Sequence, residues 1–314
     1  MIEVSLATLP DDYAEISRVT RLEWEGFSGP DELAYEDAAL PRGFYLARFV
    51  ARRNGVVVGV GDVGHDEMAH REGKLKFDLR VPPDLQGTGV GKALYEAICA
   101  HIRPTHPREL HTDVWAANPR PIRFMLDRGF VETHRRTNWA LDVAALDATR
   151  LAGLEGRAAE LSIEIKSLSQ LAHDSDRYQK LHALDVALWQ DVPLGEPVPP
   201  SAFEDFVRQN LEHPNFLPEA CFVAVSVKDG AFVGYTSHRN EGDLNVEMTG
   251  VLPVYRGRGL ATLLKLHGIR YAQAHGYANV STVNDSVNEA MLALNRKLGF
   301  KVEGEMLRFV RTLS

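Results

Sequence analysis

The sequence predicts an α/β fold, a mixed sheet with helices on both faces, built twice in succession along one chain. Three observations carry this. A length of 314 residues suits about two domains. Residues 80–94, RVPPDLQGTGVGKAL, recur as residues 250–264, GVLPVYRGRGLATLL. Around each copy, apolar residues follow strand and helix periods in the same order. The copies match at Val81/Val251, Pro83/Pro253, Gly87/Gly257, Gly89/Gly259 and Leu94/Leu264, an offset of 170. The same offset carries Asn118 onto Asn288, and Gly129-Phe130 onto Gly299-Phe300. Upstream the offset drifts: Val58-Gly59 pairs with Val233-Gly234 at 175, and Leu9 with Leu168 at 159. The first copy therefore carries five extra residues around Gly64–Gly73, and the second carries 16 within Asp191–Pro218. Insertions of this kind belong in loops.

Each copy opens on a strand, at residues 2–6 and 162–167. Helical spacing follows over Asp12–Trp24 and Ser169–Trp189; Leu171, Tyr178, Leu181, Leu184, Val186 and Leu188 mark the second stripe. A hairpin comes next, Tyr45–Arg52 with Val56–Val63 across Arg53-Asn54-Gly55, and Phe222–Val227 with Ala231–Ser237 across Lys228-Asp229-Gly230. A third strand (Leu75–Val81; Asn245–Val251) runs into a glycine-rich turn and a long helix (Gly89–His101; Gly259–His275). A further strand (Leu110–Trp115; Asn279–Val283), a helix ending at Gly-Phe and a last strand complete the unit. The Ala/Leu-rich segment Asp142–Glu160 reads as a connector, with Gly153 and Gly156 as its hinge. The predicted domains are 1–148 and 160–314, joined by 149–159.

Composition narrows the function classes. Hydrophobic residues make up 45% and charged residues 25%, which fits a globular protein with a real core. A net charge of −8 disfavours a general nucleic-acid binder. Cys99 and Cys221 stand far apart in no metal-ligand spacing, as reduced thiols of a cytoplasmic protein do. No signal peptide is evident, and apolar runs such as Val56–Val60 are too short to span a membrane.

Chemistry concentrates at the glycine turns, Gln86-Gly87-Thr88-Gly89-Val90-Gly91 and Arg256-Gly257-Arg258-Gly259-Leu260-Ala261. Glycine lets the backbone turn tightly, and the free amides of the following helix carry partial positive charge. Such a turn suits a pyrophosphate. One glycine-rich turn alone is most often a plain turn; two copies in strand–turn–helix context favour a ligand. Neither has the Gly-Lys-Ser/Thr ending of a P-loop, nor the spacing of a dinucleotide-binding turn.

The pattern Gln/Arg-x-x-Gly-x-Gly/Ala after a strand resembles the acyl-CoA loop of the GNAT N-acetyltransferase superfamily. The Asn118…Gly129-Phe130 and Asn288…Gly299-Phe300 segments look like its closing helix. The resemblance covers nearly the whole chain as two consecutive domains. It implies acetyl-CoA as acetyl donor, with its pyrophosphate on the amides of residues 257–262, Thr262 included. It also implies a pantetheine arm running beside Thr249, Gly250 and Val251, with Asn288 near it. The first loop, Gln86 to Gly91, would serve in the same way. Direct transfer to a primary amine needs a base and an acid. The acid of the family is often a Tyr seven residues after the Asn; Met125 and Asn295 stand there. Asn295 could hydrogen-bond the sulfur or the acceptor, and Tyr255, Tyr235 and Tyr271 are the replacement phenols. Glu247 is the candidate base, expected on one face with Thr249 and Val251 by alternation and matched by Phe77 in the first copy; His238 is weaker.

The second copy reads as the working one, with its loop arginine, strand glutamate and larger insertion. Trp189, Phe203, Phe206 and Phe216 with Asp191, Glu196, Glu204 and Asp205 would form either an amine-binding wall or a helix packed on the domain. The leading expectation is a small-molecule N-acetyltransferase, monomeric or homodimeric, with no metal, nucleic-acid or membrane partner. A non-catalytic acyl-CoA-binding protein and a protein or peptide N-acetyltransferase are the alternatives.

Overall fold

A computed structural model of the chain describes residues 1–22, 29–66, 71–145, 149–192 and 199–313. In chain order the elements are β1 (Glu3–Leu6), α1 (Tyr13–Arg21), α2 (Pro30–Ala38), β2 (Leu46–Arg53), β3 (Val56–Gly64), β4 (Lys74–Arg80), α3 (Val90–Ile102), β5 (Glu109–Trp115), α4 (Pro119–Leu126) and β6 (Val131–Asp142). There follow α5 (Thr149–Glu160), β7 (Ile163–Ser167), α6 (Arg177–Trp189), α7 (Phe203–Phe206), β8 (Phe222–Ser226), β9 (Phe232–Glu241), β10 (Asp243–Val251), α8 (Leu260–Ala274), β11 (Asn279–Asp285), α9 (Glu289–Leu298) and β12 (Lys301–Thr312). The mixed α/β class is as the repeat predicts.

Two compact units emerge: Met1–Arg135 with Met306–Ser314, and Arg136–Glu305. In the first, the strand order is β1-β2-β3-β4-β5 and then residues 306–312 of β12. In the second, residues 136–142 of β6 are followed by β11-β10-β9-β8-β7. One pair in each sheet is parallel, β4 with β5 and β10 with β11. These limits differ from the 1–148, 149–159 and 160–314 division, and the reason is strand pairing. The last strand of each sequence copy pairs in the other copy's sheet. Leu307 and Phe309 are buried with Phe77, Leu110 and Phe130 in the first unit. Trp139 and Leu141 are buried with Leu244 and Leu266 in the second.

Each sheet is covered on both faces. In the first unit, Val90, Leu94, Ile98 and Ile102 of α3 pack on one face, and Ile16, Val19 and Leu33 of α1 and α2 on the other. In the second, α8 supplies Leu260, Leu263, Leu264 and Ile269 to one face. Helices α6 and α7 supply Leu181, Leu184, Leu188 and Phe206 to the opposite face. Burying each such side chain stabilises by roughly 1.5–3 kcal/mol.

Three local readings change. Gly153 and Gly156 lie inside α5, so they mark no hinge. Helix α2, beyond the helical spacing of Asp12–Trp24, begins at Pro30, a residue with preset helical φ. The Asp191–Pro218 insertion holds α7 and a π-helical turn, Val207–Leu211. Trp24 and Glu196 lie outside the described residues. Among those described, no helix is long and apolar enough to cross a membrane.

Candidate active site

Both glycine turns have one geometry. Gly87 and Gly89 sit at φ +82° and +94°, and Gly257 and Gly259 at +73° and +85°. Other residues rarely adopt this left-handed region. Gly89 and Gly259 are the N-caps of α3 and α8, and no side chain caps either helix. The first helical hydrogen bonds are Ala93 N→Gly89 O and Leu263 N→Gly259 O, both 3.0 Å. The amides of residues 90–92 and 260–262 therefore precede the ladder and suit an anion. The side chains of Val90 and Leu260 are buried, so only their backbone can meet a ligand. Arg120 approaches the first turn: a Cβ on Gly87 would lie 3.5 Å from its Nη1.

The first residue of each turn braces it. Gln86 Nε2 donates to Val81 O at 3.1 Å, and Arg256 Nε donates to Val251 O at 2.9 Å. Arg256 Nη2 also reaches Asp191 Oδ2 at 2.5 Å. Thr88 Oγ1 donates to Leu85 O. Gln86, Thr88 and Arg256 thus tie the turns down, and Asp191 serves the turn instead of an acceptor wall. Of the other wall residues, Asp205 pairs with Arg208, Phe206 is buried, Trp189, Phe203 and Phe216 are half-buried, and Glu204 is exposed.

Beyond the turns the parallel strands part. β4 and β5 are in register at Lys74–Lys76 with Glu109–His111, and β10 and β11 at Leu244–Val246 with Val280–Thr282. In the first unit the opening is a cavity of about 820 Å³, lined by Asp78, Arg80, Gln86, Gly87, Gly89 and Trp115 among others. Asn118 and Met125, which the closing-helix resemblance singled out, line it as well.

A β-bulge sets the second unit apart. β10 pairs with β9 as Val246↔His238 and then Met248↔Ser237, leaving Glu247 as the extra residue. β4 pairs with β3 in unbroken register from Gly64↔Lys76 to Val60↔Arg80. The expected face-sharing of Glu247 with Thr249 and Val251 is therefore overturned. Leu244, Val246 and Val251 pack with α8, whereas Met248 packs with the α6 cluster. A Cβ on Gly250 would lie 2.7 Å from Leu188 of α6. The bulge shifts the alternation by one and puts Glu247 on the α6 face with Met248. There it accepts from Asn245 Nδ2 at 2.5 Å and lies 3.6 Å from Arg239 Nε. Phe77 is not its counterpart: Phe77 is buried against α3, as Val246 is against α8. Asp78, one residue on, shares Glu247's side of the fold.

The remaining candidates separate. Asn295 is fully buried at 0% exposure. Its Oδ1 accepts from Lys265 Nζ at 2.8 Å and its Nδ2 donates to Asn284 Oδ1 at 2.6 Å. Asn295 thus holds a buried network and has no surface for an acceptor, because a buried amide must be satisfied internally. Tyr235 is buried and donates to Asp185. Burial pushes Asp185 up to about 6, against the pull of Tyr235. His238 is buried with Nδ1 on Ala220 O, and burial lowers its pKa to about 4. Tyr271 stacks on His275. Asn288 caps α9 by accepting from Met291 N at 3.2 Å. Thr249 Oγ1 lies 2.8 Å from Thr236 Oγ1. Tyr255 is half-buried on the turn ahead of the loop, Arg258 is exposed, and Thr262 is half-buried in the first turn of α8. The buried Lys265 and Asp185 escaped the sequence reading; both sit on helix faces otherwise apolar, and that break in the stripe was the available signal.

Two αL-glycine turns at helix N-termini, each beside a pair of parting strands, give the two units one and the same strand–turn–helix frame. The Acetyltransferase (GNAT) family model matches residues 14–130 and 181–300, and the chain belongs to that family as a tandem N-acetyltransferase. It is similar to a mycothiol acetyltransferase of Frankia casuarinae, 27% identical over 78% of this chain and 69% of the relative. One from Mycobacteroides abscessus is 26% identical over 76% and 75%. Among solved structures, a tandem GNAT protein from the clavulanic acid biosynthesis pathway superposes with a TM-score of 0.77 at 20% identity, over 99% of this chain and 98% of that one. A GCN5-related N-acetyltransferase from Sphaerobacter thermophilus gives 0.65 at 18% identity, over 99% and 95%.

Proposed function

We propose that the chain moves an acetyl group from acetyl-CoA to the primary amine of a small molecule by direct transfer, with the chemistry in the second unit. The bulge carries this reading. It projects Glu247 outward on the α6 face, one residue past the point where β10 and β11 part. The donor fits the chain: the unpaired amides of residues 260–262 and the αL pair Gly257 and Gly259 match a pyrophosphate. Acetyl-CoA, when bound, supplies the activated acetyl group. Glu247 accepts the proton of the acceptor amine. Asn245 and Arg239 hold its carboxylate in place. The amine nitrogen takes the acetyl carbon as the thioester C–S bond breaks; with Asn295 and Tyr235 committed elsewhere and Tyr271 stacked on His275, Tyr255 is the candidate phenol left to protonate the departing CoA thiolate. Relatives named mycothiol acetyltransferase support acetyl transfer as the reaction type.

The test is thiol release from acetyl-CoA across a panel of primary amines. Glu247→Gln is expected to lower turnover about 100-fold or more. Gly259→Glu, which sets a carboxylate and a strained φ at the turn, should abolish acetyl-CoA binding. Turnover of no amine, with acetyl-CoA still bound, would favour a binding protein.

A further inference from the structure

In the second unit a chain of side-chain hydrogen bonds leads from a buried lysine of α8 to the parted strands. Lys265, at 2% exposure, donates from Nζ to Asn295 Oδ1 at 2.8 Å. Asn295, fully buried, donates from Nδ2 to Asn284 Oδ1 at 2.6 Å. Asn284 is half-buried. It stands two residues past Thr282, where β10 and β11 are last in register. Alternation keeps it on the α8 side of β11 with Val280. The amides of residues 260–262 that precede the α8 ladder belong to the same side.

The frame does not need this chain in order to form. The offset of 170 puts Tyr95, Met125 and Val114 at the same three places in the first unit, where they pack together in its core. Val114 and Met125 also line the 820 Å³ cavity there, so the place that Asn284 holds borders the cleft. Buried amides in place of apolar side chains cost free energy unless each is satisfied.

The blind end sets the direction of the chain. The ammonium form of Lys265 has donors only, so Asn295 turns Oδ1 to it and Nδ2 to Asn284. Asn284 then accepts through Oδ1 and keeps Nδ2 as a spare donor. Among the described residues that Nδ2 has no partner, and it is not shut off from solvent as Trp139 Nε1 is.

We propose that Asn284 Nδ2 donates a hydrogen bond to a carbonyl oxygen of the acyl-CoA arm, and that Asn295 and Lys265 are positioning residues that fix the direction of its amide. The proposal rests on acetyl-CoA occupying the second turn. The thioester carbonyl and the amide carbonyls of the arm offer the same acceptor chemistry, and CoA without its acetyl group tells them apart.

The experiment is calorimetry of acetyl-CoA and of CoA at pH 6, below the Lys265 value of about 7. The full chain carries Gly89→Glu, which closes the first turn as Gly259→Glu closes the second. Asn295→Asp is the decisive variant. Its carboxylate accepts from Lys265 and offers a second acceptor to Asn284, whose amide must turn Nδ2 inward and Oδ1 outward. Acetyl-CoA should weaken about tenfold although residue 295 touches no ligand. Asn284→Leu, which removes the donor itself, should weaken it about three- to tenfold and stands in should Asn295→Asp fail to fold. Loss for acetyl-CoA alone assigns the thioester carbonyl, and equal loss for CoA assigns an amide of the arm. A merely structural network would lower the unfolding temperature of the variants and leave both affinities unchanged, and that result would overturn the proposal. The measurement needs no amine acceptor. Turnover of an amine with affinities unchanged in the variants sinks this inference alone, and weakened binding with no amine turned over sinks the proposed reaction alone. Failure of the second turn to bind acetyl-CoA at all would overturn both.

Discussion

Lys265 is the sharpest test of how the second unit is built. It lies in the middle of α8 at 2% exposure, with Asn295 Oδ1 2.8 Å from its Nζ and the Phe300 ring 5.1 Å away. His238 of β9 faces it as a second buried base, and both have their pKa values lowered by burial, Lys265 to about 7 and His238 to about 4. The perturbation is Lys265→Met, which keeps the length and removes the charge. An unfolded chain holds the lysine proton up to about 10.4. Between pH 7 and that value the unfolded state binds more protons, so wild-type stability climbs with pH. Below pH 7 the full penalty of the buried charge is present, roughly 5 kcal/mol. The substitution removes that penalty and leaves Asn295 Oδ1 without its donor, which costs about 1–3 kcal/mol. The variant should therefore be the more stable at pH 6, by about 2–4 kcal/mol. Above pH 10 it should be the less stable by the orphaned acceptor alone. Urea unfolding of both proteins at pH 6, 8 and 9.5 measures this; the difference cancels the groups that do not sense Lys265, and His238, whose pKa Lys265 helps to lower to about 4, titrates below this range. A difference that does not move with pH would refute the buried cation.

Other expectations are as direct. Asp185 titrates near 6 in the fold, so its penalty appears as pH rises from about 4 to 6; Asp185→Asn should gain stability relative to wild type above pH 6, by roughly 3 kcal/mol less the change at Tyr235. His213 and His238 titrate near 4, both lowered by burial, so the protein should lose stability as pH falls below 6.5, and His213→Gln should flatten that loss in a thermal series. Phe309→Ala should destabilise the first unit by about 3–5 kcal/mol although it lies at the far end of the chain, visible as an early transition in calorimetry. Fragments 1–148 and 160–314 should be poorly soluble apart and recover when co-expressed, because each carries the strand that completes the other's sheet.

Legibility followed the range of the physics. The strand–turn–helix units were readable because glycines at fixed offsets and period-two or 3.6 apolar runs are local signals. Gly87, Gly89, Gly257 and Gly259 all adopt the conformations that only glycine holds easily. The destination of the last strands was not readable. Residues 131–142 and 301–312 hold the same place in the two copies, and nothing local says which sheet each will join. Asn295 shows the same limit at a single residue: its spacing from Asn288 is right for an acid, and only the fold brings Lys265, 30 residues away, and Asn284 to engage both ends of its amide.

The bulge at Glu247 is the case where one residue of register changes the chemistry. Counted back from Val251, strict alternation would turn residue 247 toward α8, and a carboxylate there would be buried with Leu260, Leu263 and Leu264. The bulge leaves Glu247 in the outward phase that Leu244 and Val246 set, and restores the phase for Val251 to meet α8. The first unit reaches a related arrangement without a bulge, because Asp78 already occupies the outward phase of an unbroken strand. Two routes thus bring a carboxylate to the same side of two parting strand pairs. They differ in what holds it: Glu247 is fixed by Asn245 at 2.5 Å, whereas the closest polar contact of Asp78 is Thr112 at 3.4 Å. A fixed carboxylate suits repeated proton transfer at one geometry.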